Sequence, residues 1–226
     1  MATLQDYRDE RLRKLDKLKQ LGVNPYPAKA QRTKSLADIT SKFDELDGQT
    51  ATVASRITGI RKFGKLAFIV IRDASGSLQL FLHAPDVVEI DAAAGVIGMK
   101  QLNLLDTGDF VQATGEVIRT KTGEISVAVK QLKLLTKSLR PMPEELTNKE
   151  ERFRRRYVDM NVNQDVRQRF IRRSKFWQAT RDFLNDEGFI EVNNVVLENT
   201  AGGADANPFV THMDALDQEF YLRISH

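Results

Sequence analysis

The chain contains no cysteine and only three histidines, His83, His212 and His226. Disulfides and thiolate zinc sites are therefore excluded, and no two of the histidines have metal-ligand spacing, so no metal site is expected in the chain. No apolar run approaches membrane length. The opening "MATLQDYRDERLRKLDKLKQLG" is charged from its first turn and lacks the apolar core of a signal peptide, so a cytoplasmic location without membrane association is expected. Neither sign of charge dominates. Lys and Arg number 34 against 31 Asp and Glu, a balance of +3 that permits a nucleic-acid partner without requiring one. Prolines number only six, so the places where they pair mark boundaries.

What is present divides by texture. Residues 4 to 21 are expected to form a helix with Leu12, Leu15, Leu18 and Leu21 as its apolar stripe and Gly22 as its stop. "NPYPAKAQRT" then breaks helical continuity. From about 50 to 136 the runs are short and β-rich: "TATVASRITGIRKFGK", "LAFIVIRD", "SLQLFLH", "DFVQATGEVIRT" and "EISVAVKQLKLLT". A helix is expected between the third and fourth of these, within 86 to 105, weakened by Gly95 and Gly98. Three strands, a helix and two strands is the order of an OB-fold, a small β-barrel. A second boundary falls in "SLRPMPEELTNKEERFRRRYVDMN". Beyond it, a helix over 164 to 187 carries Val166, Phe170, Trp177 and Leu184 and closes at Gly188, and "FIEV", "VVL", "PFVTHM" and "EFYLRI" are strand-like.

Alternation in the second and third strands assigns faces. Ala67, Ile69 and Ile71, with Leu78, Leu80 and Leu82, form the barrel-core sets, leaving Phe68 and Gln79 for the outer surface near Arg56 and Arg61. A ring that stacks, an amide that reads a base edge and arginines that meet phosphate are what single-stranded RNA recognition needs. An aromatic in satellite core and solvated arginines account for the same pattern, and periodicity does not separate the two. Arg152, Arg154, Arg155 and Arg156 beside Glu150 and Glu151 form either a phosphate-binding edge or a salt-bridged face. Arg119 and Lys121 belong first to the hairpin "RTKTGE". Trp177 serves equally well as a core residue or as an oligomer anchor. The paired glycines of "TAGGADANPF" suit either a flexible loop or a close approach of backbone to ligand.

Read together, "GGADANPFVTHMDALDQEFYLRI" resembles the signature segment of class II lysyl-tRNA synthetases. "FIRRSKFWQATRDFLNDEGFIEV" is similar to the class II motif 1 helix and strand, and the order of helix, OB barrel and "LRPMPEE" linker follows the family. The resemblance covers essentially the whole chain. It departs at Val195, where the motif 1 proline stands in the family, at Asp214 in place of asparagine, and at Ala201 in place of a common proline.

The resemblance implies a ligase that uses ATP and Mg²⁺ to activate lysine as lysyl-adenylate and passes it to tRNA(Lys), and it implies a homodimer for the full-length enzyme. It places Phe68 as a ring stacking on an anticodon base, Gln79 as the reader of the central base, Arg61 as a further anticodon contact, and Gly203 and Ala204 as lining of the lysine pocket. The expected architecture is α+β. An N-terminal helix and linker (1–34) precede a five-stranded OB-fold β-barrel that binds the anticodon (35–140), a linker (141–163), and the start of a class II antiparallel-sheet catalytic domain (164–226). Motifs 2 and 3 and the carboxylates that hold lysine and metal are not found within the chain. It is therefore expected to be an N-terminal fragment, inactive alone, with no catalytic residue and no bound cofactor of its own. A free-standing anticodon-binding or single-stranded RNA-binding OB protein is the alternative.

Overall fold

Alternation of buried and outward side chains organises the first of two units, Met1–Leu146 and Thr147–His226. The computed structural model describes residues 3–143 and 145–225, so His226 lies outside the described residues. The first unit contains β1 (Thr50–Phe63), β2 (Leu66–Arg72), β3 (Ser77–His83), a two-residue β4 (Val96–Ile97), β5 (Phe110–Arg119) and β6 (Ile125–Thr136). The strands pair in the order β3-β2-β1-β5-β6-β4, and a parallel pairing of β3 with β6 brings the ends of the five longer strands together. Gly115 stands at a register shift between β5 and β6, where a Cβ would meet the Ala128 carbonyl oxygen, so only glycine lets the strands approach there. Ala67, Ile69, Ile71, Leu78, Leu80 and Leu82 are all buried, as alternation requires.

Three helices close over this core. α1 (Leu4–Gln20) opens with a Thr3–Asp6 capping box, and the chain leaves it through Gly22 at φ 77°. Its apolar stripe is shorter than its leucines suggest. Leu15 and Leu18 are buried, Leu21 is 42% exposed, and Arg11 is buried with 5% exposure. Polar partners make that burial tolerable. Arg11 donates from Nη1 to the Ser138 carbonyl (2.9 Å) and from Nη2 to the Thr107 carbonyl (3.0 Å). α2 (Leu36–Ser41) and α3 (Phe43–Leu46) add Leu36, Ile39, Phe43 and Leu46 to the core.

Beside Arg11 lies a cluster of buried charge. Lys137 has no exposed side-chain surface and donates to Asp106 (2.5 Å) and Asp109 (2.8 Å), while Lys14 of α1 donates to Asp106 (2.6 Å). Tyr26 donates to the Lys137 carbonyl (3.1 Å). Burial alone would raise the Asp106 carboxyl, but hydrogen bonds and charge from Lys137 and Lys14 bring it below the usual range. At Asp109 burial wins, and the carboxyl is raised despite Lys137.

One expected element takes another form. The segment 86 to 105 holds no α-helix; it contains β4 and a 3₁₀ helix, Met99–Leu104. Gly95 at φ 70° turns the chain back so that Asp91 and Val96 bridge, and a Cβ at Gly98 would stand 3.1 Å from the Ile90 nitrogen. The reversal leaves too little continuous chain for α-helical turns.

The second unit contains α4 (Lys149–Arg154), α5 (Arg156–Val162), α6 (Gln164–Asp186), β7 (Leu197–Glu198), β8 (Val210–Met213) and β9 (Gln218–Leu222), with strand order β7-β9-β8. The segment read as a linker over 141–163 is therefore partly helical. Asn148 caps α4, and the fully buried Asp159 accepts from Arg152 (2.9 Å), Arg156 (3.0 Å) and Asn163 (2.7 Å), tying α4, α5 and the start of α6 into one corner. "FIEV" forms no strand among the described residues; an extended segment needs a partner ladder, and "VVL" meets one at its end, where Leu197 and the following Glu198 pair with β9.

Two outcomes test these contacts. Lys137→Met leaves the buried Asp109 without a cation and Asp106 with Lys14 alone, and is expected to cost about 3–5 kcal/mol, read as lost hydrogen-exchange protection of β5 and β6 amides; unchanged protection refutes the role given to the cluster. Burial would raise Asp159, yet its hydrogen bonds to Asn163 and Arg152 and the arginine charges hold it below the ordinary carboxyl value of 3.8. A depressed carboxyl stabilises the fold above 3.8 and loses that contribution as pH falls through its lowered value. Helical circular dichroism should therefore fall more steeply below that pH in the wild type than in Asp159→Asn.

Candidate nucleic-acid interface

Strand register places the sequence-picked residues. Arg61 of β1 pairs with Phe68 of β2, and Phe68 pairs with Phe81 of β3, so the three form one row across the sheet. Gln79 stands two residues from Phe81 on the same face of β3, opposite Val70. Phe68 and Gln79 are half-buried on the side away from the core, and Arg61 is exposed. The row is more aromatic than a single ring. Phe68 lies 5.5 Å from Phe81 with the planes tilted by 40°, and 6.2 Å from Phe63 in an edge-on arrangement. Phe63, at the β1–β2 hairpin tip, is 61% exposed. Phe81 is legible from its alternation with Gln79; Phe63 is not, because only the hairpin's closure brings it beside Phe68.

The other cations separate by their partners. Arg56 does not join the row: it pairs in register with Arg72, and its guanidinium sits 4.8 Å from the Phe110 ring centre. Burial, then the Arg72 charge, pull its pKa below the usual arginine range. Lys62 is likewise lowered, first by burial and then by the Lys14 charge. Arg119 lies 4.5 Å over the Phe43 ring and donates to the Gly123 carbonyl (3.1 Å) at a hairpin whose turn is closed by Gly123 at φ 89°. The arginine-rich run of α4 and α5 is a salt-bridged face: Arg152 and Arg156 meet Asp159, Arg154 meets Glu150 (2.8 Å), and Arg155 meets Glu151 (4.0 Å).

Gln79 is held by its neighbour across the parallel pairing. Its Nε2 donates to Ser126 Oγ at 3.0 Å, and Ser126 Oγ donates to the Glu124 carbonyl at 3.4 Å. Ser126 itself has no exposed surface. An aromatic ring, an amide bonded to Ser126 and an exposed guanidinium thus occupy one accessible face. Such a face can accept an unstacked base and its phosphate.

In the second unit the paired glycines lie in the exposed loop between β7 and β8. Gly203 adopts φ 94°, and a Cβ on it would stand 2.8 Å from Ser225 Cβ, whereas one on Gly202 would meet open space. The glycine requirement at 203 thus has a cause within the chain. Ala204 is exposed. Among the described residues no three His, Asp or Glu side chains converge to hold a metal ion. Gly203→Ala is expected to displace Ser225 and move its amide resonance, while Gly202→Ala leaves it in place; equal shifts from both would show that the close contact at 203 is not restrictive.

Comparison with known proteins agrees with this division. Residues 51–135 match the family described as an OB-fold nucleic acid binding domain. Residues 148–226 match tRNA synthetases class II (D, K and N). The lysine–tRNA ligase of Moorella thermoacetica is 44% identical over 218 residues, covering 95% of this chain and 43% of that protein. That of Carboxydothermus hydrogenoformans is 41% identical with the same coverage, and that of a Nostoc species is 43% identical over 98% of this chain and 41% of the relative. The chain thus spans less than half the length of the curated relatives it matches. With relatives at this identity across nearly all of its residues and both of its units matched by the corresponding families, the chain belongs to the lysine–tRNA ligase family of class II tRNA synthetases.

Proposed function

We propose that the chain is the anticodon-gripping part, with the beginning of the catalytic part, of a lysyl-tRNA synthetase acting in the cytoplasm. The observation that carries this is the row Arg61–Phe68–Phe81 with Gln79 beside it, on the outward face of an OB sheet. OB-folds bind oligonucleotides on the face of strands 2 and 3, which are the strands that carry Phe68 and Gln79 here. Phe68 stacks on an anticodon base, Gln79 reads the Watson–Crick edge of the central one, and Arg61 meets the adjoining phosphate. No step in this recognition needs a metal.

In the reaction proposed for the whole protein, the carboxylate of lysine is activated by ATP as lysyl-adenylate with release of pyrophosphate, and the lysyl group passes to the 3′ end of tRNA(Lys). Mg²⁺ supplies charge neutralisation at the transferring phosphoryl group. The contribution of this chain is positional: it holds the tRNA by its anticodon, and Gly203 and Ala204 offer a small-residue backbone wall to the amino acid. Exposed Phe176, Trp177 and Phe183 on α6 supply the apolar face for a homodimer contact.

Anticodon stem-loop binding tests the reading. Phe68→Ala is expected to weaken binding of a U-rich lysine anticodon stem-loop by roughly 1–3 kcal/mol, measured by titration calorimetry, while strand hydrogen exchange stays near wild type. Undiminished affinity in Phe68→Ala, or equal affinity of the wild type for unrelated single strands, removes the anticodon reading and leaves a sequence-tolerant OB protein.

A further inference from the structure

Away from the row on β1 to β3, the outward side of β5 and β6 carries a cavity. Gln112 of β5 and Lys133 of β6 stand opposite each other in register, and the segment 24–33 passes beside them. That segment is pinned at three points. Tyr26 donates to the Lys137 carbonyl (3.1 Å), the Gln31 N–H to Gln112 Oε1 (2.7 Å), and the Thr33 N–H to the Thr52 carbonyl (2.9 Å). Between it, the two strands and the loop 92–95 lies a space of about 340 Å³. The loop meets the chain again at Gly22, where a Cβ would stand 3.1 Å from Ala92 Cβ. The walls are thus fixed by the fold, as in a preformed ligand site.

The side chains around this space are donors. Gln112 is 6% exposed. A backbone N–H can only donate, so the end of the Gln112 amide that meets Gln31 is its carbonyl, and Nε2 is left without a hydrogen-bond partner among the described residues. Asn24 is turned in the same sense: its Oδ1 accepts from the Tyr26 N–H (2.9 Å), and its Nδ2 remains a donor. Lys29 and Lys133 have no ion-pair or hydrogen-bond partner among the described residues. None of the lining residues is acidic, and Asp91, just before the loop, accepts from the Ala94 N–H (3.1 Å) within its own turn. A buried donor left unmet is costly, and ammonium groups that share a space repel unless an anion lies between them.

We propose that this cavity binds the phosphate of a small phosphomonoester. Such a group is close to a dianion at neutral pH and offers three acceptor oxygens. Lys29 and Lys133 match its charge, and Gln112 Nε2 and Asn24 Nδ2 donate to its oxygens. A carboxylate, or a phosphodiester of an RNA backbone, brings a single negative charge to the same two cations. The volume stands at the small end of the roughly 300–1,000 Å³ of ligand pockets. It suits a phosphate on a short carbon body lying along Pro27 and the alanines of the loop.

The test follows backbone and side-chain amide resonances of the chain during titration with glycerol 3-phosphate, with glycerol, and with sodium chloride at matched ionic strength. Saturable shifts are expected at the Gln112 side-chain amide and at 92–95 with glycerol 3-phosphate alone. Lys133→Gln is expected to weaken this binding about tenfold, as loss of one charge-assisted hydrogen bond does. Gln112→Glu keeps the acceptor for Gln31 and puts a negative oxygen where the donor was, so saturation should disappear. If Gln112→Glu does not fold, Lys29→Gln and Lys133→Gln, at less buried positions, decide. Shifts that never saturate and match those of sodium chloride, or an affinity unchanged in both lysine variants, overturn the site. Displacement of glycerol 3-phosphate by anticodon stem-loop RNA makes the cavity a backbone contact and overturns the monoester assignment. The outcome for Phe68→Ala bears on none of these results, so this site and the anticodon reading stand or fall separately.

Discussion

The parallel pairing of β3 with β6 is the contact on which the rest of the first unit depends. Its three residue pairs, Gln79–Ser126, Leu80–Val127 and Phe81–Ala128, bring together strands separated by more than forty positions of chain. That pairing turns one face of every strand inward as a shared core and leaves the opposite face outward. It is also what brings a buried hydroxyl under the amide of Gln79. Gly115 serves the same closure from the other side, since any Cβ there would collide with the backbone at Ala128, itself one of the paired residues.

A second constraint attaches α1 to the strands. Buried charge is costly unless it is paired, and removing one partner is worse than having none. Lys137 with Asp106, Asp109 and Lys14, and Arg11 with two carbonyls, meet that condition. The helix is thus held by directional contacts as well as by Leu15 and Leu18. Opposite pKa directions at Asp106 and Asp109 follow from count and burial: two ammonium groups serve the first, one the second, and the second is the more deeply enclosed.

Much of the outward face was legible because period-two alternation is a local property. Phe68 and Gln79 were separable from Ile69 and Leu80 with no knowledge of any partner strand, and the strand bounds followed from turns such as Asp73 to Gly76. The resemblance carried by "GGADANPF" and its neighbours supplied the family. Sequence patterns were less informative where distant contacts decide. Arg56 and Arg61 were equivalent as charges along β1, but one lies over Phe110 and the other pairs with Phe68. The arginine run after Glu151 suited either phosphate or carboxylate partners until Asp159 came into place beneath it.

By itself the sequence determined which side chains each strand turns outward, where the chain punctuates with proline and glycine, and to which family its motifs belong. These depend on spacing along the chain, which is set before folding. Tertiary structure alone decided that Phe63 joins Phe68 and Phe81, that Arg11 and Lys137 are buried, and that 86 to 105 reverses instead of forming an α-helix. It also decided that the Gln79 amide meets the buried Ser126 hydroxyl, because residues 47 positions apart come together only when β3 and β6 pair, and no local pattern encodes that meeting.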